Sequence, residues 1–395
     1  MSRINDLVAN LSPSGVAHRP LGEVGEFIRG RRFTKNDYVE QGLGAIHYGE
    51  IYTDYGTAAT VTRSFVRAEL KGNLRLARPG DLVIAATGEN LKDVCKAVAW
   101  IGDEEIAVHD DCFIFRHDMD PKFVSYFFQS SAFQDQKVKF ASESKVVRIS
   151  GANMARIKMP VPLPAIQREI VAILDKMEML EAELEAELEY RSLQYAHYRD
   201  SLLSFADDPL SRRQEVKWAA LSELFDMRAG RFVAAFKISS APDSEHPIPC
   251  FGGGGLRGYV SQASHEGGKV LIGRQGALCG NVKRASGRFY ATEHAVVVTA
   301  RPSVDIAWAF HMLTAMNLNQ YASKSAQPGL AVGTIGKLRV PVPPAEEQHL
   351  IGTVLDKFDA LVNDLSVGLP AEIAARRQQY EYYRDRLLTF DEKAA

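Results

Sequence analysis

Apolar side chains recur at helical spacing in two long segments of the chain. In the first segment they alternate between steps of four and three, at Ile166, Ile170, Ile173, Met177, Leu180 and Leu184, and the stripe resumes at Tyr195, Tyr198, Leu202 and Phe205. This spacing is the heptad pattern of a helix that packs along one face. It predicts a helix of about 40 residues, which would be about 60 Å long.

The second segment repeats the stripe at Ile351, Val354, Phe358, Leu361 and Leu365, and again at Tyr380, Tyr383, Leu387 and Phe390. Gly368 and Pro370 fall inside it, and an interior proline costs a helix about 3 kcal/mol. We therefore predict a break there, with Pro370 in the first turn of a new helical segment. Two apolar-striped helices in one chain predict a coiled coil, and a pseudo-two-fold arrangement would make it antiparallel.

The rest of the chain predicts mixed strand, turn and helix. Buried strands are predicted at Leu82–Ala86, Cys112–Phe115, Val270–Ile272 and Ala295–Val298, and helices at Asp120–Phe133 and Ile306–Met316. The predicted fold class is α+β, with two globular mixed α/β parts joined by the two long helices.

An internal repeat organises these elements. Residues 159–177 and 340–358 align without gaps at an offset of 181 and share 8 of 19 residues. Residues 194–205 (QYAHYRDSLLSF) and 379–390 (QYEYYRDRLLTF) share 8 of 12 at an offset of 185. Chance does not produce two such blocks in the same order.

Weaker similarity extends the repeat outward, since residues 16–24 align with 216–224 and Gly30-Arg31 aligns with Gly230-Arg231. The chain is thus a globular part, a repeated helical part, a second globular part and a second repeated helical part. We place these parts at residues 1–158, 159–206, 216–339 and 340–395.

Charge is distributed unevenly, although the net charge is only −2. Residues 217–339 carry 14 basic and 7 acidic side chains, whereas residues 159–216 carry 6 and 12. One clearly basic globular part, a second that is balanced (21 basic and 20 acidic side chains in residues 1–158) and acidic helices fit local contacts with DNA. The four cysteines form no CxxC pair and no apolar run is long enough to span a bilayer, so we expect a cytoplasmic protein.

Basic, aromatic and amide side chains gather at predicted turns. Arginine and glutamine suit the hydrogen-bonding edges of guanine and adenine, and lysine suits phosphate. The candidate DNA-binding residues are Arg29, Arg31, Arg32, Lys35, His47, Tyr48, Lys145, Arg148, Arg257, Tyr259, Arg274, Gln275, Lys283, Arg284, Lys324 and Gln327. Scattered surface charge is the alternative explanation for each of them.

Motifs for chemistry are missing from the sequence. It contains neither an Asn/Asp-Pro-Pro-aromatic motif of adenine methylation nor a GxxxxGK[ST] phosphate loop. His294 has no partner at metal-ligand spacing, and we interpret it as a hydrogen-bonded structural histidine. We predict no catalytic, cofactor-binding or metal-binding residues.

The repeated block Pro160–Asp175 (PVPLPAIQREIVAILD) and its second copy Pro341–Asp356 (PVPPAEEQHLIGTVLD), each after a variable globular part, resemble the specificity subunits of type I restriction-modification enzymes. Residues 271–281 (LIGRQGALCGN) are similar to one subtype of that family's target recognition domains. The resemblance implies that 1–158 and 216–339 are target recognition domains, each reading one half of a bipartite DNA site. It implies that the helices set the spacer between the halves.

The resemblance also implies partners. Two methyltransferase subunits would bind S-adenosylmethionine and methylate adenine, and restriction subunits would use ATP and Mg²⁺. The chain itself would bind no cofactor. A methylation-only system is an alternative within the family, a coiled-coil scaffold with protein-binding ends is an alternative outside it, and an autonomous enzyme is disfavoured by the missing motifs.

Overall fold

The computed structural model describes residues 9–141, 146–204, 216–324 and 327–393. The chain forms two compact units, of which the first comprises residues 1–183 and 374–395 and the second residues 184–373. Each unit therefore combines one globular part with the start of one helical repeat and the end of the other. The four parts predicted from the repeat are segments of sequence and do not coincide with these compact units, and their boundaries remain a prediction.

Two five-stranded sheets form most of the first unit. The order of one sheet is Gly25–Arg29, Cys112–His117, Leu82–Ala85, Ala97–Trp100 and Ala58–Ala59. The order of the other is Tyr38–Val39, Ser64–Val66, Leu43–Ile46, Ile106–Val108 and Leu76–Ala77. Two smaller ladders pair His18–Pro20 with Lys158–Pro160 and Thr87–Gly88 with Val147–Arg148. Within the described sheets of the first unit, two pairings are parallel: Ala58–Ala59 pairs with residues 99–100, and Leu43–Ile46 pairs with Ile106–Val108.

The second unit has two four-stranded sheets. One has the order Phe225–Ala229, Ala295–Ala300, Lys269–Gly273 and Val282–Ala285, and the other has the order Gly255–Val260, Ile248–Gly252, Arg288–Ala291 and His265–Glu266. A two-stranded ladder pairs Lys217–Ala220 with Arg339–Val342. The predicted strands at residues 82–86, 112–115, 270–272 and 295–298 are confirmed, because each overlaps an observed strand, and their side chains are buried except for that of Phe113, which is half-buried.

Capping residues set the bounds of the predicted helices. Asp120 accepts hydrogen bonds from the backbone amides of Lys122 and Phe123, at the start of the helix Pro121–Gln129. The predicted helix over residues 120–133 divides at Ser130, whose hydroxyl caps a second helix, Ser131–Lys137. In the second unit Asp305 caps Ile306–Ala315 in the same way as Asp120. Side-chain oxygens at these positions satisfy amides that a helix start leaves unpaired.

Shorter helices complete the two units. They are Leu21–Val24, Tyr48–Thr53 and Gly151–Met154 in the first and Leu221–Leu224 and Val332–Gly336 in the second, with 3-10 turns at Lys35–Asp37, Ala68–Asn73, Val138–Phe140, Ala235–Lys237 and Leu318–Tyr321. None of the helices in the described ranges is both long and apolar enough to cross a membrane.

The first long helix runs from Pro164 to Ser204 and has 41 residues, which confirms the predicted length. The second repeat is broken as predicted, into a helix Ala345–Asn363 (the second helix) and a helix Leu369–Leu387 (the C-terminal helix), with Pro370 in the first turn of the latter. The predicted stripe over this repeat is only partly right. Leu365 lies beyond the end of the second helix and is 82% exposed.

Helix pairing in the first unit is antiparallel. The hydroxyl of Tyr380 donates to Glu178 at 3.0 Å, and the guanidinium of Arg377 lies 2.5 Å from Glu181. Residues further along the long helix therefore contact residues earlier in the C-terminal helix. This confirms the predicted antiparallel direction within this unit. In the second unit the rings of Tyr198 and Phe358 lie 5.4 Å apart, so the end of the long helix packs against the second helix.

A buried glutamine explains why part of the repeated block is identical. The Oε1 of Gln167 accepts from the amide of Asp120 at 2.9 Å, and its Nε2 donates to the carbonyl of Pro162 at 2.7 Å. This side chain is 3% exposed, and a buried amide group must be paired. It joins the Pro-rich stretch, the long helix and the helix cap.

The second copy keeps every one of these bonds. Gln348 accepts from the amide of Asp305 at 2.9 Å and donates to the carbonyl of Pro343 at 2.9 Å. The side chain is 2% exposed. The Pro-Val-Pro and Gln positions of the repeat therefore mark the same joint in both units.

Candidate nucleic-acid interface

A Gly-Arg turn ends the first strand of the main sheet in the first unit. The amide of Gly30 donates to the carbonyl of Cys112 at 3.0 Å, and the amide of Arg31 donates to the carbonyl of Val108 at 2.9 Å. A Cβ on Gly30 would lie 2.0 Å from the carbonyl oxygen of His109, so only glycine permits this close approach. The turn presents the exposed side chain of Arg31 beside the loop 109–111.

The second unit contains the same turn. The amide of Gly230 donates to the carbonyl of Ala295 at 2.9 Å, and the amide of Arg231 donates to the carbonyl of Ala291 at 2.9 Å. A Cβ on Gly230 would lie 2.3 Å from the carbonyl oxygens of Ala291 and Thr292. The weak sequence alignment of the two Gly-Arg pairs therefore reflects one shared backbone structure.

Two further loops join each turn. In the first unit the amide of Ala86 donates to the carbonyl of Asp111 at 2.9 Å, and the amide of Ile149 donates to the carbonyl of Ala86 at 3.3 Å. Next to this point Thr87 pairs with Arg148 in a short ladder. Three separate stretches of chain therefore meet at one end of the sheet.

The second unit assembles its loops with the same bonds. The amide of Arg274 donates to the carbonyl of His294 at 2.8 Å, and the amide of Leu330 donates to the carbonyl of Arg274 at 2.9 Å. Gln275 forms an isolated bridge with Gly329. We call the two assemblies of turn and loops, at residues 29–31, 86–87, 109–111 and 148–149 and at residues 229–231, 274–275, 292–294 and 329–330, the first and second loop faces.

The structure brings several predicted residues together at the first loop face. Arg29 donates from Nε to the carbonyl of Asp110 at 3.0 Å, next to Arg31. Arg29, Arg31, Arg32 and Lys35 are all exposed, and Lys35 begins the 3-10 turn Lys35–Asp37. Lys145 lies outside the described residues.

A chain of aromatic contacts connects His47 and Tyr48 to the first loop face. The ring of His47 lies 6.3 Å from that of Tyr48, which lies 6.2 Å from the ring of Tyr52. The hydroxyl of Tyr52 donates to the carbonyl of Thr87 at 2.7 Å, and Thr87 pairs with Arg148. Tyr48 and Arg148 are both exposed.

The four-glycine run lies against the second loop face. A Cβ on Gly253 would come within 3.0 Å of the carbonyl of His294 and 3.3 Å of that of Gln275, whereas Gly255 has a φ of +113° that favours glycine. The run is the turn between strands Ile248–Gly252 and Gly255–Val260. The glycines therefore allow this turn to approach the loop face closely.

Predicted residues of the second unit flank this turn. Arg257 and Tyr259 are on the strand Gly255–Val260, and the side chain of Lys283 lies 3.7 Å from the Cβ position of Gly255. Lys324 borders a cavity of about 280 Å³ with Gly276 and Pro328. Arg257, Gln275, Lys283, Lys324 and Gln327 are exposed, and Tyr259 and Arg274 are half-buried.

Arg284 has a different environment from the other candidates. Its guanidinium forms an ion pair with Asp356 of the second helix and stacks 3.9 Å from the ring centre of Phe310. The same Nη2 lies 3.0 Å from Nε2 of His311. Arg284 therefore links two helices to the sheet, and the structure does not place it at the second loop face.

The charges of this group shift two pKa values. Burial opposes the charged form of Asp356, but hydrogen bonds from Arg284 and His311 hold the pKa of its carboxyl below its ordinary value. Burial lowers the pKa of His311, which has no solvent exposure, and the hydrogen bond to Asp356 opposes this only in part. A neutral imidazole beside a carboxylate is the favoured pair.

Sequence reasoning missed Arg231, which is exposed in the turn of the second loop face. The signal that could have found it is the repeat, because Arg231 aligns with the candidate Arg31. Among the described residues, Thr292 Oγ1 and Glu293 Oε2 are buried acceptors without a hydrogen-bond partner. Buried polar atoms of this kind are uncommon and are available to a ligand.

Two histidines of the loop faces have partners within their loops. His294, with a side chain that is 43% exposed, lies with Nε2 3.3 Å from Glu293 Oε1, and its interpretation as a hydrogen-bonded structural histidine stays a prediction. His109 lies with Nδ1 3.2 Å from Asp110 and 3.4 Å from Asp111. Within the described ranges these last three side chains are the group that could hold a metal ion.

The second unit does not keep that metal-ligand set, since Thr292 stands in place of His109. A metal ion is therefore not part of the framework that the two loop faces share. The absence of a resident metal stays a prediction.

The repeated two-unit architecture and its paired loop faces define a protein with a two-fold internal repeat and two equivalent loop assemblies. The family of type I restriction modification DNA specificity domains matches residues 13–190 and 215–375, and the chain belongs to this family.

Two relatives from Escherichia coli are similar over part of their length. The chain is 50% identical over 265 residues to the type I restriction enzyme EcoprrI specificity subunit, covering 65% of this chain and 64% of the relative. It is 32% identical over 267 residues to the EcoR124I/EcoR124II specificity subunit, covering 60% of this chain and 65% of the relative. The matches thus span just under two thirds of these relatives.

Solved structures show the same fold. A chain from a structure on complex assembly and conformational transition of the type I R-M system has a TM-score of 0.65 at 17% identity, covering 95% of this chain and 97% of that one. The type I restriction-modification S subunit from Mycoplasma genitalium has a TM-score of 0.60 at 13% identity, covering 94% and 96%.

Proposed function

We propose that this chain is the DNA-recognition subunit of a type I restriction-modification enzyme and that each unit reads one half of a bipartite site. One observation carries the proposal: the two units share a backbone framework that displays different side chains. Ala86 in the first framework corresponds to Arg274 in the second, and Asp111 corresponds to His294. A constant scaffold with variable side chains is what two half-sites of different sequence require.

The chemistry of the exposed side chains fits base and phosphate contacts. An arginine can donate two parallel hydrogen bonds to guanine, and a glutamine can pair with adenine. Arg31 and Arg231 occupy equivalent turns, so they are candidates for the same type of contact in each half-site. Gln275 and Arg148 extend from the loops beside them, and Lys283 is suited to phosphate.

We further propose that the chemical steps belong to partner subunits. Two methyltransferase subunits would dock on the two units, bind S-adenosylmethionine and flip the target adenine out of the duplex. Restriction subunits with ATP and Mg²⁺ would complete the enzyme. The lack of a methylation motif and of a phosphate loop in the sequence supports a non-catalytic chain without its own cofactor. Because its ligand is DNA, we place its activity in the cytoplasm.

The helical repeats would set the spacer between half-sites. The long helix has 41 residues, which corresponds to about 60 Å of helix. Adjacent half-sites on one face of B-DNA are about 34–36 Å apart, so a helix of this length is sufficient for the task.

Co-expression with the neighbouring methyltransferase gene, followed by modified-base sequencing of host DNA, tests the proposal. We expect a bipartite motif with N6-methyladenine in each half. Replacing residues 216–339 with those of another family member should change one half of the motif only. A complex that forms but methylates no new motif would favour a coiled-coil scaffold, and a change in both halves would contradict separate reading.

A further inference from the structure

Two phenylalanine rings stand exposed beside the second loop face. Phe232 follows Arg231 of the Gly-Arg turn and is 75% exposed, and Phe236 in the 3-10 turn Ala235–Lys237 is 86% exposed. Single exposed apolar side chains are common on protein surfaces. Two exposed phenyl rings within five residues, each next to a basic residue, form a small apolar patch, and such patches are typical of interaction sites.

The segment that carries these rings is firmly held. Ser239 exchanges two backbone hydrogen bonds with Tyr259, at 2.9 and 2.8 Å, and the hydroxyl of Tyr290 donates to the carbonyl of Phe232 at 3.1 Å. Val233 and Ile238 of the same segment pack on a small core of Ile248, Cys250 and Val260. The aliphatic side chains are thus partly buried against this core, while the two phenyl rings are exposed.

The first unit has an equivalent segment, with a 3-10 turn after its Gly-Arg turn, but without the phenyl rings. Its 3-10 turn Lys35–Asp37 stands at the same offset of 200 from Ala235–Lys237 as Gly30 does from Gly230. Phe33 is buried, and it stands at the position of the partly buried Val233. The two outward positions are occupied by Arg32 and Asn36, which are exposed and polar. The fold therefore does not require apolar side chains there, and the phenyl pair is particular to the second unit.

The surroundings of the pair favour duplex DNA as its ligand. Arg231 precedes Phe232, Lys237 follows Phe236, and the globular part 217–339 carries twice as many basic as acidic side chains. Leu256 of the strand next to the glycine turn adds a third exposed apolar side chain, at 56%. Several DNA-bending proteins insert an apolar side chain such as phenylalanine between base steps and partly unstack them, and neighbouring cations can contact the phosphates.

We propose that Phe232 and Phe236 insert into or stack on the bases of the half-site bound by the second unit, so that this half is read partly through unstacking. The proposal rests on the proposed function and deepens it. The first unit, with Arg32 and Asn36 in these positions, reads its half-site without such a wedge. The sequence preference of the second half-site would then include a step that is easily unstacked, such as a pyrimidine–purine step.

The test uses the full chain co-purified with its methyltransferase and a duplex carrying the motif found by methylation sequencing. The fluorescent base 2-aminopurine is placed at each step of the second half-site, apart from the methylated adenine that the partner flips. We expect fluorescence to rise at one step with the native chain. The double variant Phe232→Arg/Phe236→Asn, which carries the residues of the first unit, should lose this rise and bind about fivefold or more weakly.

Matched variants separate the wedge from other effects. Val61→Thr removes an exposed apolar side chain of the first unit, 72% exposed, and should change neither signal, whereas Phe236→Trp should retain the unstacking. Native-like binding and methylation without unstacking in the second half-site would overturn the wedge and leave the proposed function intact. Loss of methyltransferase binding by the double variant would also overturn it, in favour of a protein contact. A native chain that protects no bipartite motif would instead refute the proposed function.

Discussion

The ring Nε2 of His311 lies 2.7 Å from Oδ1 of Asp356 and ties the helix Ile306–Ala315 to the second helix. The first unit makes the equivalent connection with a tyrosine, since the hydroxyl of Tyr126 donates to Asp175 at the same distance of 2.7 Å. Burial raises the pKa of Tyr126, so this phenol stays neutral at ordinary pH. The same joint is therefore built from a titratable group in one unit and from a permanently neutral group in the other.

This difference predicts an acid sensitivity of the second unit. The folded-state pKa of His311 lies below its ordinary value of 6.5, so the unfolded chain binds the proton first. Stability conferred by the neutral imidazole is present above about pH 6.5 and is lost as pH falls toward the folded-state pKa. Tyr195, Arg284, Asp356 and Asp359 are the charged or titratable groups that act on this ring.

His311→Tyr, which installs the residue of the first unit, should flatten the loss of stability between pH 7 and pH 5. Calorimetric unfolding across this range measures it, with the native chain as the reference. An unchanged pH dependence in the variant would mean that other groups, such as His117, control acid unfolding.

Removing a repeated glutamine should destabilise its own unit. Gln348→Ala leaves the buried amide of Asp305 and the carbonyl of Pro343 without partners, and a buried unsatisfied group costs about 1–3 kcal/mol. Denaturant unfolding should report this loss for Gln348→Ala and for Gln167→Ala alike. Gln379→Ala, on an exposed face of the C-terminal helix, is the control and should stay within about 0.5 kcal/mol of the native chain.

Arginines of the second unit should separate into recognition and structural roles. Arg231→Ala should weaken recognition of one half-site by about 1–3 kcal/mol with unchanged stability, because its guanidinium is exposed beside the loop face. Arg284→Ala should leave the motif unchanged but lower stability by about 1 kcal/mol, a figure reduced for the partial exposure of its ion pair with Asp356.

Methylation sequencing and thermal unfolding of the same preparations distinguish these two outcomes. Arg228→Ala, at a side chain 80% exposed, should alter neither. If Arg284→Ala were the only one of these variants to change the motif, Arg284 would belong to the recognition surface.

The Gly-Arg turns should not tolerate a Cβ. Gly230→Ala would place the new atom 2.3 Å from two backbone oxygens, and such overpacking costs about 1–3 kcal/mol or more. Gly268→Ala is the control, since nothing lies within 4 Å of its Cβ position. We expect a lower midpoint of thermal unfolding for the first variant only. Equal midpoints would show that the turn relaxes without cost.

Local elements and the repeat were accessible from the sequence because both depend on neighbouring residues. Heptad spacing over residues 166–184 predicts the long helix, and Pro370 predicts the break in the second repeat, because proline lacks the amide that a helix interior needs. The predicted apolar stripe of the second repeat was wrong at Leu365. The turn after Asn363 is organised by Asp364, whose carboxylate accepts from the amides of Ser366 and Val367, and periodicity alone does not register such a turn.

Side chains that act across long stretches of sequence were decided by the tertiary structure. Nothing near Arg284 in the sequence distinguishes it from Lys283, yet alternation along a strand turns one toward Asp356, 72 residues away, and leaves the other exposed beside the glycine turn. Arg231 could be inferred only through the repeat.

By itself, the sequence determined the two-fold repeat, its helices and the residue types available for recognition, because these follow from periodicity and composition. Only the tertiary structure decided that residues 374–395 complete the unit of residues 1–183 and that the end of the long helix completes the other. It also decided which arginines meet at a loop face. Both outcomes depend on packing and hydrogen bonds between residues far apart in the chain, which no local pattern encodes.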